Sequence, residues 1–264
     1  MQSVLKCTTE ELVVLVDLCG YHSVAKGIGE SSLGEKSEDA WEAVFEGAVH
    51  QLMLKGVWDV QKASNNEVPL NEELQLFIKH FVQSPKIIRT INVTANESLL
   101  FHQLPNEKWL MHHVTADIIH EFFFIEEHEI SKHVLHFNQY IDMKGENHQA
   151  FTLTDHQFDL LSKEENVPKL KSLLNMPDDQ MTAFDELISS INSNNWALHN
   201  TSLIKVDLEN EQNTITEVLF HVAATNGVWM LEYDEHLNVH ITNVDSEKFL
   251  EKIYSTFLNP AQQE

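Results

Sequence analysis

Arginine is nearly absent from this sequence, which has a single one, Arg89, among 17 basic residues. The 41 acidic residues leave a net charge of −24. Arginine supplies the two-pronged contacts by which many proteins bind phosphate and guanine, and a negative field repels polyanions. We therefore expect no nucleic-acid partner and no anionic membrane surface. The charge favours a basic or neutral protein partner instead.

Glycine, proline and cysteine are also scarce, with 8, 6 and 2 residues. So few glycines and prolines argue against a loop-rich or disordered chain, and 42% hydrophobic residues in a chain of 264 allow a sizeable core. Cys7 and Cys19 flank a predicted helix and would lie roughly 18 Å apart, too far for a disulfide. Two thiols without a disulfide framework are typical of a reducing cytosol.

Long apolar runs are missing as well. The first residues, MQSVLKCTTEEL, contain no basic stretch followed by an apolar one, as a signal peptide would. No apolar run approaches the ~20 residues of a membrane-spanning helix. We therefore predict a cytoplasmic protein without membrane insertion.

The first half of the chain, residues 1–145, contains helical patterns followed by strand patterns. A helical unit is predicted over 1–84, an antiparallel meander of four strands over 86–127, and a helix over 128–143. Within the helical unit the order is helix, turn, helix, short strand, helix, which is winged-helix-like. The glycine- and serine-rich residues 27–37 are predicted as the loop, and residues 57–60 as the short strand.

The second half, residues 146–264, repeats this order. A helical unit is predicted over 152–195, a meander over 202–242 and a closing helix over 246–257. Trp109 and Trp229 fall at matching places in the two meanders. We predict an α+β fold of two pseudo-repeated halves around a central sheet, which together form one compact unit. The opposing interpretation is that α+β chains share such an order by chance.

Histidine is abundant, with 16 residues, so a metal site needs testing. His112 and His113 are adjacent on a predicted strand and point to opposite faces. His133 and His136 share a helix face, but no third ligand is apparent. The sequence also lacks the G-x-S-x-G nucleophile motif and the G-K-[ST] ending of a phosphate loop. We predict no catalytic residue, no metal site and no cofactor.

Apolar residues of the first meander are candidates for partner binding. An antiparallel sheet buries one face and can present the other. The residues we predict to contact a partner are Leu99, Phe101, Leu104 and Trp109. The opposing interpretation is that the protein's own helices cover them.

The helical unit also contains a recognisable arrangement. A helix ends at Leu18-Cys19-Gly20, and a second helix leads into Leu54-Lys55-Gly56-Val57-Trp58-Asp59. A polar turn, Pro69-Leu70 and an amphipathic helix follow. This arrangement resembles the opening of EspG-type chaperones of type VII secretion, and the chain length and repeated α+β halves are also similar. The strong acidity and the histidine content depart from that family.

The resemblance implies a cytosolic protein without catalytic residues that binds secretion substrates before export. It transfers no individual functional residue, because partner contacts differ among members of the family. We therefore predict a chaperone or adaptor for a secreted protein. The alternative is an acidic immunity protein that neutralises a basic toxin. An immunity complex should associate much faster at low salt, whereas apolar capping should barely respond to salt.

Overall fold

The computed structural model describes residues 3–145, 150–207 and 212–259. These residues form ten strands: β1 (Leu5–Thr8), β2 (Lys86–Asn92), β3 (Glu97–Gln103), β4 (Trp109–Thr115), β5 (Ile119–Ile125), β6 (Ala150–Thr154), β7 (His199–Asp207), β8 (Gln212–Ala223), β9 (Val228–Tyr233) and β10 (Asn238–Val244). Their order in the sheet is β1-β5-β4-β3-β2-β7-β8-β9-β10-β6. Neighbouring strands such as β4 and β5, and β9 and β10, run antiparallel.

Ten α-helices accompany the strands in the described ranges. They are α1 (Thr9–Leu18), α2 (His22–Leu33), α3 (Glu38–Leu54), α4 (Val60–Ser64), α5 (Glu72–Val82), α6 (Ile130–Phe137), α7 (Asp155–Leu160), α8 (Val167–Leu173), α9 (Asp178–Ser193) and α10 (Ser246–Ile253). None of these helices combines the length and apolarity needed to cross a membrane.

The order of strands is the same when it is followed inward from either edge of the sheet. β1, β5, β4, β3 and β2 correspond to β6, β10, β9, β8 and β7. The two edge strands each lead directly into a helix through a capping box. Thr8 begins α1 with Glu11, and Thr154 begins α7 with Gln157. The predicted α+β fold with two pseudo-repeated halves is confirmed.

Two units are distinguished by their internal contacts. Unit 1 comprises the described residues of Met1–Ile87, Leu100–Glu126 and Val206–Gln212, and unit 2 those of Ile88–Leu99, Glu127–Lys205 and Asn213–Glu264. The predicted boundary between residues 145 and 146 falls at the edge of a described range. The limits of the two halves, and their union in one compact unit, stay predictions.

Unit 1 is organised around α1, which is buried along most of its length. Leu12, Val14, Leu15 and Val16 of this helix are all within the core. The amphipathic helix α5 contributes further apolar side chains to the same cluster, and Phe122 of β5 packs edge-on against them. Because one face of α5 packs in this core, its opposite face is exposed to solvent.

Unit 2 has a separate core between its helices and the face of its strands. Phe184 and Leu187 of α9 meet Trp229 and Leu231 of β9 there, together with Ile241 of β10. The closing helix α10 packs on α6 within the same unit. It ends in a single π-helical turn, Tyr254–Leu258.

Two local predictions for the helical unit are wrong. The glycine-rich stretch expected as a loop is mostly the helix α2, because Gly29 allows a close approach of Trp41 rather than forming a turn. The strand expected over 57–60 is absent. Val57 and Trp58 instead donate their amides to the carbonyl of Leu52 at the end of α3.

The next residue explains why a helix follows. The Asp59 carboxylate accepts hydrogen bonds from the amides of Gln61 and Lys62, and so begins α4. Lys62 in turn donates to the carbonyl of Leu70. The stretch that resembles the chaperone family therefore ends one helix and begins another.

Candidate functional site

The four residues predicted to contact a partner lie in the core. Leu99 and Phe101 belong to β3, Leu104 follows that strand, and Trp109 begins β4. Their exposed fractions are 5%, 0%, 8% and 0%. A partner could reach them only after the covering elements had moved. Their role in binding stays a prediction, which this burial does not support.

An open groove of about 300 Å³ with both apolar and polar lining lies on the surface of unit 1. The end of α1 and the first residues after it form one wall, and the outer face of α5 forms the other. We call it the α1–α5 groove, and its lining residues are Leu18, Cys19, Tyr21, Val68, Gln75, Leu76 and Lys79. Leu76 is 53% exposed and Val68 is 36% exposed. Large apolar side chains therefore meet solvent at this place.

Local geometry explains the wall formed by α1. The helix stops because Gly20 adopts a positive φ of 88°, which any side chain would disfavour. The amides of Gly20 and Tyr21 then donate to the carbonyls of Asp17 and Val16. Because these backbone groups are already bonded, the wall offers a partner mainly side chains.

The other wall follows from the pattern of α5. Its core face carries Phe77, Ile78 and Phe81, which are all buried. Leu76 lies on the opposite face, with Glu72 and Glu73 one turn before it and Lys79 one turn after it. Along this face of α5, Leu76 therefore lies between two carboxylates on one side and the ammonium of Lys79 on the other.

Cys19 lines the α1–α5 groove as a free thiol that is half buried. Burial raises its pKa, and burial also raises the pKa of Tyr21, with a further contribution from Cys19. Cys7, the other free thiol, is buried on β1, and its pKa is raised to about 12, first by burial and then by Glu11. Both thiols are protonated at neutral pH, which makes them weak nucleophiles.

A chain of imidazoles lies in the core of unit 1. His120 Nε2 is 3.0 Å from Thr9 Oγ1, and His120 Nδ1 is 2.8 Å from His112 Nε2. The ring of His102 is 5.7 Å from that of His112, between centroids. In the described part of the chain, neither ring nitrogen of His102 has a hydrogen-bond partner.

Burial holds these rings in the neutral form. It lowers the pKa of His102 to about 3 and that of His120 to about 4. The pKa of His112 lies well below its usual value, first through burial and then through the neighbouring histidines. The chain of imidazoles therefore contributes packing and hydrogen bonds rather than charge at neutral pH.

Unit 2 contains a comparable buried network. His221 Nδ1 lies 3.0 Å from the hydroxyl of Tyr140, and its Nε2 lies 3.1 Å from Thr201 Oγ1. Thr201 donates in turn to Thr90 Oγ1. The pKa of His221 is far below its usual value because of burial, with a smaller contribution from His199. This network also belongs to the core.

The pairing of His112 with His120 was not predicted from the sequence, although a signal for it exists. Val114 lies opposite His120 across the β4–β5 hairpin. His112, two residues before Val114, shares its face of the sheet, so a correct register brings the two imidazoles together. His112 is buried and His113 is only partly so, in line with their opposite faces.

The structure offers no metal-ligand cluster in the residues that it describes. No three His, Cys, Asp or Glu side chains within 3–145, 150–207 and 212–259 come close enough together to hold a metal ion. His133 and His136 both lie on α6, as expected.

Comparison with known proteins gives one family and one shared fold. The sequence model of a family described as "Uncharacterised protein YfjC" matches residues 5–253. No curated protein matches the sequence significantly. Among solved structures, the chain is similar to EspG5, the type VII secretion system chaperone of Mycobacterium tuberculosis, solved in complex with a PE25–PPE41 dimer.

The likeness to EspG5 extends over most of both proteins. It has a TM-score of 0.54 and covers 80% of this chain and 84% of EspG5, at 8% sequence identity. At so low an identity the likeness concerns the fold alone. The resemblance inferred from the sequence is thereby confirmed at the level of fold.

Proposed function

This chain belongs to the YfjC family, and from its fold we propose that it is a non-catalytic cytoplasmic chaperone or adaptor that binds a secreted protein, as type VII secretion chaperones do. The observation that carries the proposal is the shared fold with EspG5, a chaperone solved with a bound protein pair. A likeness that spans four-fifths of the chain involves more than one common motif.

Surface chemistry supports a protein partner. The net charge of −24 disfavours polyanionic ligands and keeps the protein, with its cargo, in solution. The α1–α5 groove exposes apolar side chains to water, and a bound partner would cover them. Binding of this kind requires no nucleotide and no chemical step, since the partner is held by surface that it buries.

Co-expression tests the proposal directly. The protein would be produced together with each helical protein exported by the type VII system of the same organism, and the soluble complexes measured by size-exclusion chromatography with light scattering. We expect at least one exported protein to become soluble only in its presence, and to elute with it at fixed stoichiometry. A protein exported by another route serves as the control.

The same experiment can contradict the chaperone proposal. If every exported protein stays insoluble and the acidic protein elutes alone, the chaperone proposal is wrong. A basic toxin that bound instead, with an association rate that fell steeply as salt was added, would support the immunity alternative.

A further inference from the structure

We infer that the α1–α5 groove binds an amphipathic helix of the partner, one whose apolar side chains are flanked by lysine or arginine. The inference rests on the proposed function for the source of that helix, a secreted protein. The residues that line the groove are known independently of any partner, so a synthetic helix can test which side chains the groove binds.

Apolar anchors are the first requirement of such a helix. Leu18, Tyr21, Val68 and Leu76 supply the apolar walls, and Leu76 is more than half exposed. A volume of about 300 Å³ lies at the lower end of the range of ligand pockets. It suits a few side chains from one face of a helix, spaced three or four residues apart, as in other helix-in-groove complexes.

The state of the backbone favours a helix over an added strand. A bound strand needs unpaired amides and carbonyls along an edge. At this groove the amides of Gly20 and Tyr21 are bonded within their own turn, and Asn71 caps α5 by accepting a hydrogen bond from the amide of Leu74. Recognition therefore falls to side chains, as it does when one helix packs on another.

The charge around the groove comes from three carboxylates beside it and from Lys79 in its lining, so acidic groups outnumber basic ones. Glu67 adjoins Val68, and Glu72 and Glu73 lie one turn before Leu76 on the exposed side of α5. In the described part of the chain, none of these three carboxylates forms an ion pair. Lysine or arginine beside the apolar anchors would meet them, whereas a second copy of this chain would bring another net charge of −24.

Cys19 provides a reporter placed within the groove. The chain has only two cysteines, and Cys7 is buried with a pKa raised to about 12 by burial and Glu11. A thiol reagent at mildly alkaline pH therefore reads out Cys19. An occupant of the groove should slow this reaction, because it covers the thiol.

The probe is a synthetic 18-residue amphipathic helix of leucine and lysine, and its control is a helix of the same pattern with glutamate in place of lysine, which reverses the charge. We expect the lysine peptide to slow modification of Cys19 in the full-length protein and the glutamate peptide to leave it unchanged. Leu76→Glu should weaken binding of the lysine peptide by about tenfold or more, because a carboxylate would be buried against its leucines. Leu54→Glu is the control, since Leu54 is 89% exposed and lies outside the groove.

Each outcome decides the inference. Equal affinity of the lysine peptide for the two variants, or unchanged reactivity of Cys19, overturns it. The same thiol assay on a complex obtained by co-expression separates the two proposals. A stable complex with fully reactive Cys19 contradicts the groove but leaves the chaperone function standing. Protection by the peptide without any exported partner supports the groove and contradicts the chaperone function.

Discussion

Buried histidines are the residues that we expect to make this protein sensitive to acid. His102, His112 and His120 lie in the core of unit 1, and His199 and His221 in that of unit 2. In every case burial is the main cause of a lowered pKa. These five must be brought to water before they can gain a proton.

His102→Leu should make the protein more resistant to acid. The unfolded chain binds a proton on this histidine below about pH 6.5, while the folded chain does so only near pH 3. Stability is therefore complete above pH 6.5 and is lost as the pH falls toward 3, by up to about 1.4 kcal/mol per pH unit for each such group. Urea unfolding at pH 7, 5.5 and 4.5 should show a smaller loss of unfolding free energy in the variant.

The control is an exposed histidine in a turn. His236, whose side chain is 76% exposed, can be replaced by leucine at little cost. His236→Leu should keep the pH profile of the native protein. If His102→Leu and His236→Leu give the same profile, burial of His102 is not what makes the protein sensitive to acid.

At the scale of elements, the packing of α2 on α3 depends on a glycine in the middle of a helix rather than in a turn. A Cβ atom on Gly29 would come within 2.6 Å of the indole ring of Trp41 on α3. Gly29→Ala should therefore destabilise the protein by about 1–3 kcal/mol, because a rigid ring must shift. Thermal unfolding followed by tryptophan fluorescence measures the change.

Gly27 on the same helix is the matched control. A Cβ atom there has no neighbour within 4 Å. Gly27→Ala should stabilise the protein by about 0.5–1 kcal/mol, since alanine loses less backbone entropy in a helix. Effects of the same sign in both variants would contradict the close packing of α2 against Trp41.

An ion pair with one buried partner joins α1 to the residue that follows α3. Lys55 Nζ lies 2.7 Å from Glu11 Oε2, and the Glu11 side chain is 0% exposed. Lys55→Met should lower the free energy of unfolding by about 1–3 kcal/mol, because the carboxylate would keep only the amide of Thr8 as a donor. Denaturant unfolding at pH 7 measures this loss.

Lys6 supplies the matching surface pair. Its Nζ lies 2.8 Å from Glu121, and both side chains are partly exposed. Lys6→Met should change stability by less than about 0.5 kcal/mol, as is usual for exposed pairs. Losses of similar size in both methionine variants would show that burial of Glu11 adds nothing to the link.

The meanders were predictable from the sequence because each strand is bounded by turn residues. The meander predicted over 86–127 corresponds to β2, β3, β4 and β5, and the meander predicted over 202–242 corresponds to β7, β8, β9 and β10. The short edge strands β1 and β6 escaped prediction. Each is at most five residues long and ends at a capping threonine, so their patterns merge with the following helix. Strand pairing across the chain decides such cases.

The candidate site was less predictable than the fold. The α1–α5 groove joins residues around position 20 with residues around position 75, and only the packing of α5 on α1 places them together. The apolar residues of β3 and β4, in contrast, are dense in the sequence itself. Density of this kind indicates a core and says little about which surface is left uncovered.

At the scale of the whole molecule, the protein combines a fold that it shares with a chaperone and a strongly negative net charge. The exposed face of α3 illustrates this charge, since Glu42 and Glu46 lie one turn apart with no basic residue between them. Like charges at this spacing repel each other. Such repulsion opposes the compact state and also opposes self-association.

Sodium chloride should therefore stabilise this protein. Ions screen repulsion among exposed carboxylates, with a Debye length that falls from about 30 Å at 0.01 M to about 10 Å at 0.1 M. We expect the midpoint of thermal unfolding at pH 7.5 to rise by about 3 °C or more between 0.01 and 0.5 M salt, or about 1 kcal/mol.

Glu42→Lys with Glu46→Lys changes the net charge from −24 to −20, because each substitution adds two charges. This variant should be more stable at low salt and respond less to added salt. An unfolding midpoint independent of salt in both proteins would mean that the acidic surface imposes no strain on the fold, and that its charge matters only for the choice of partner.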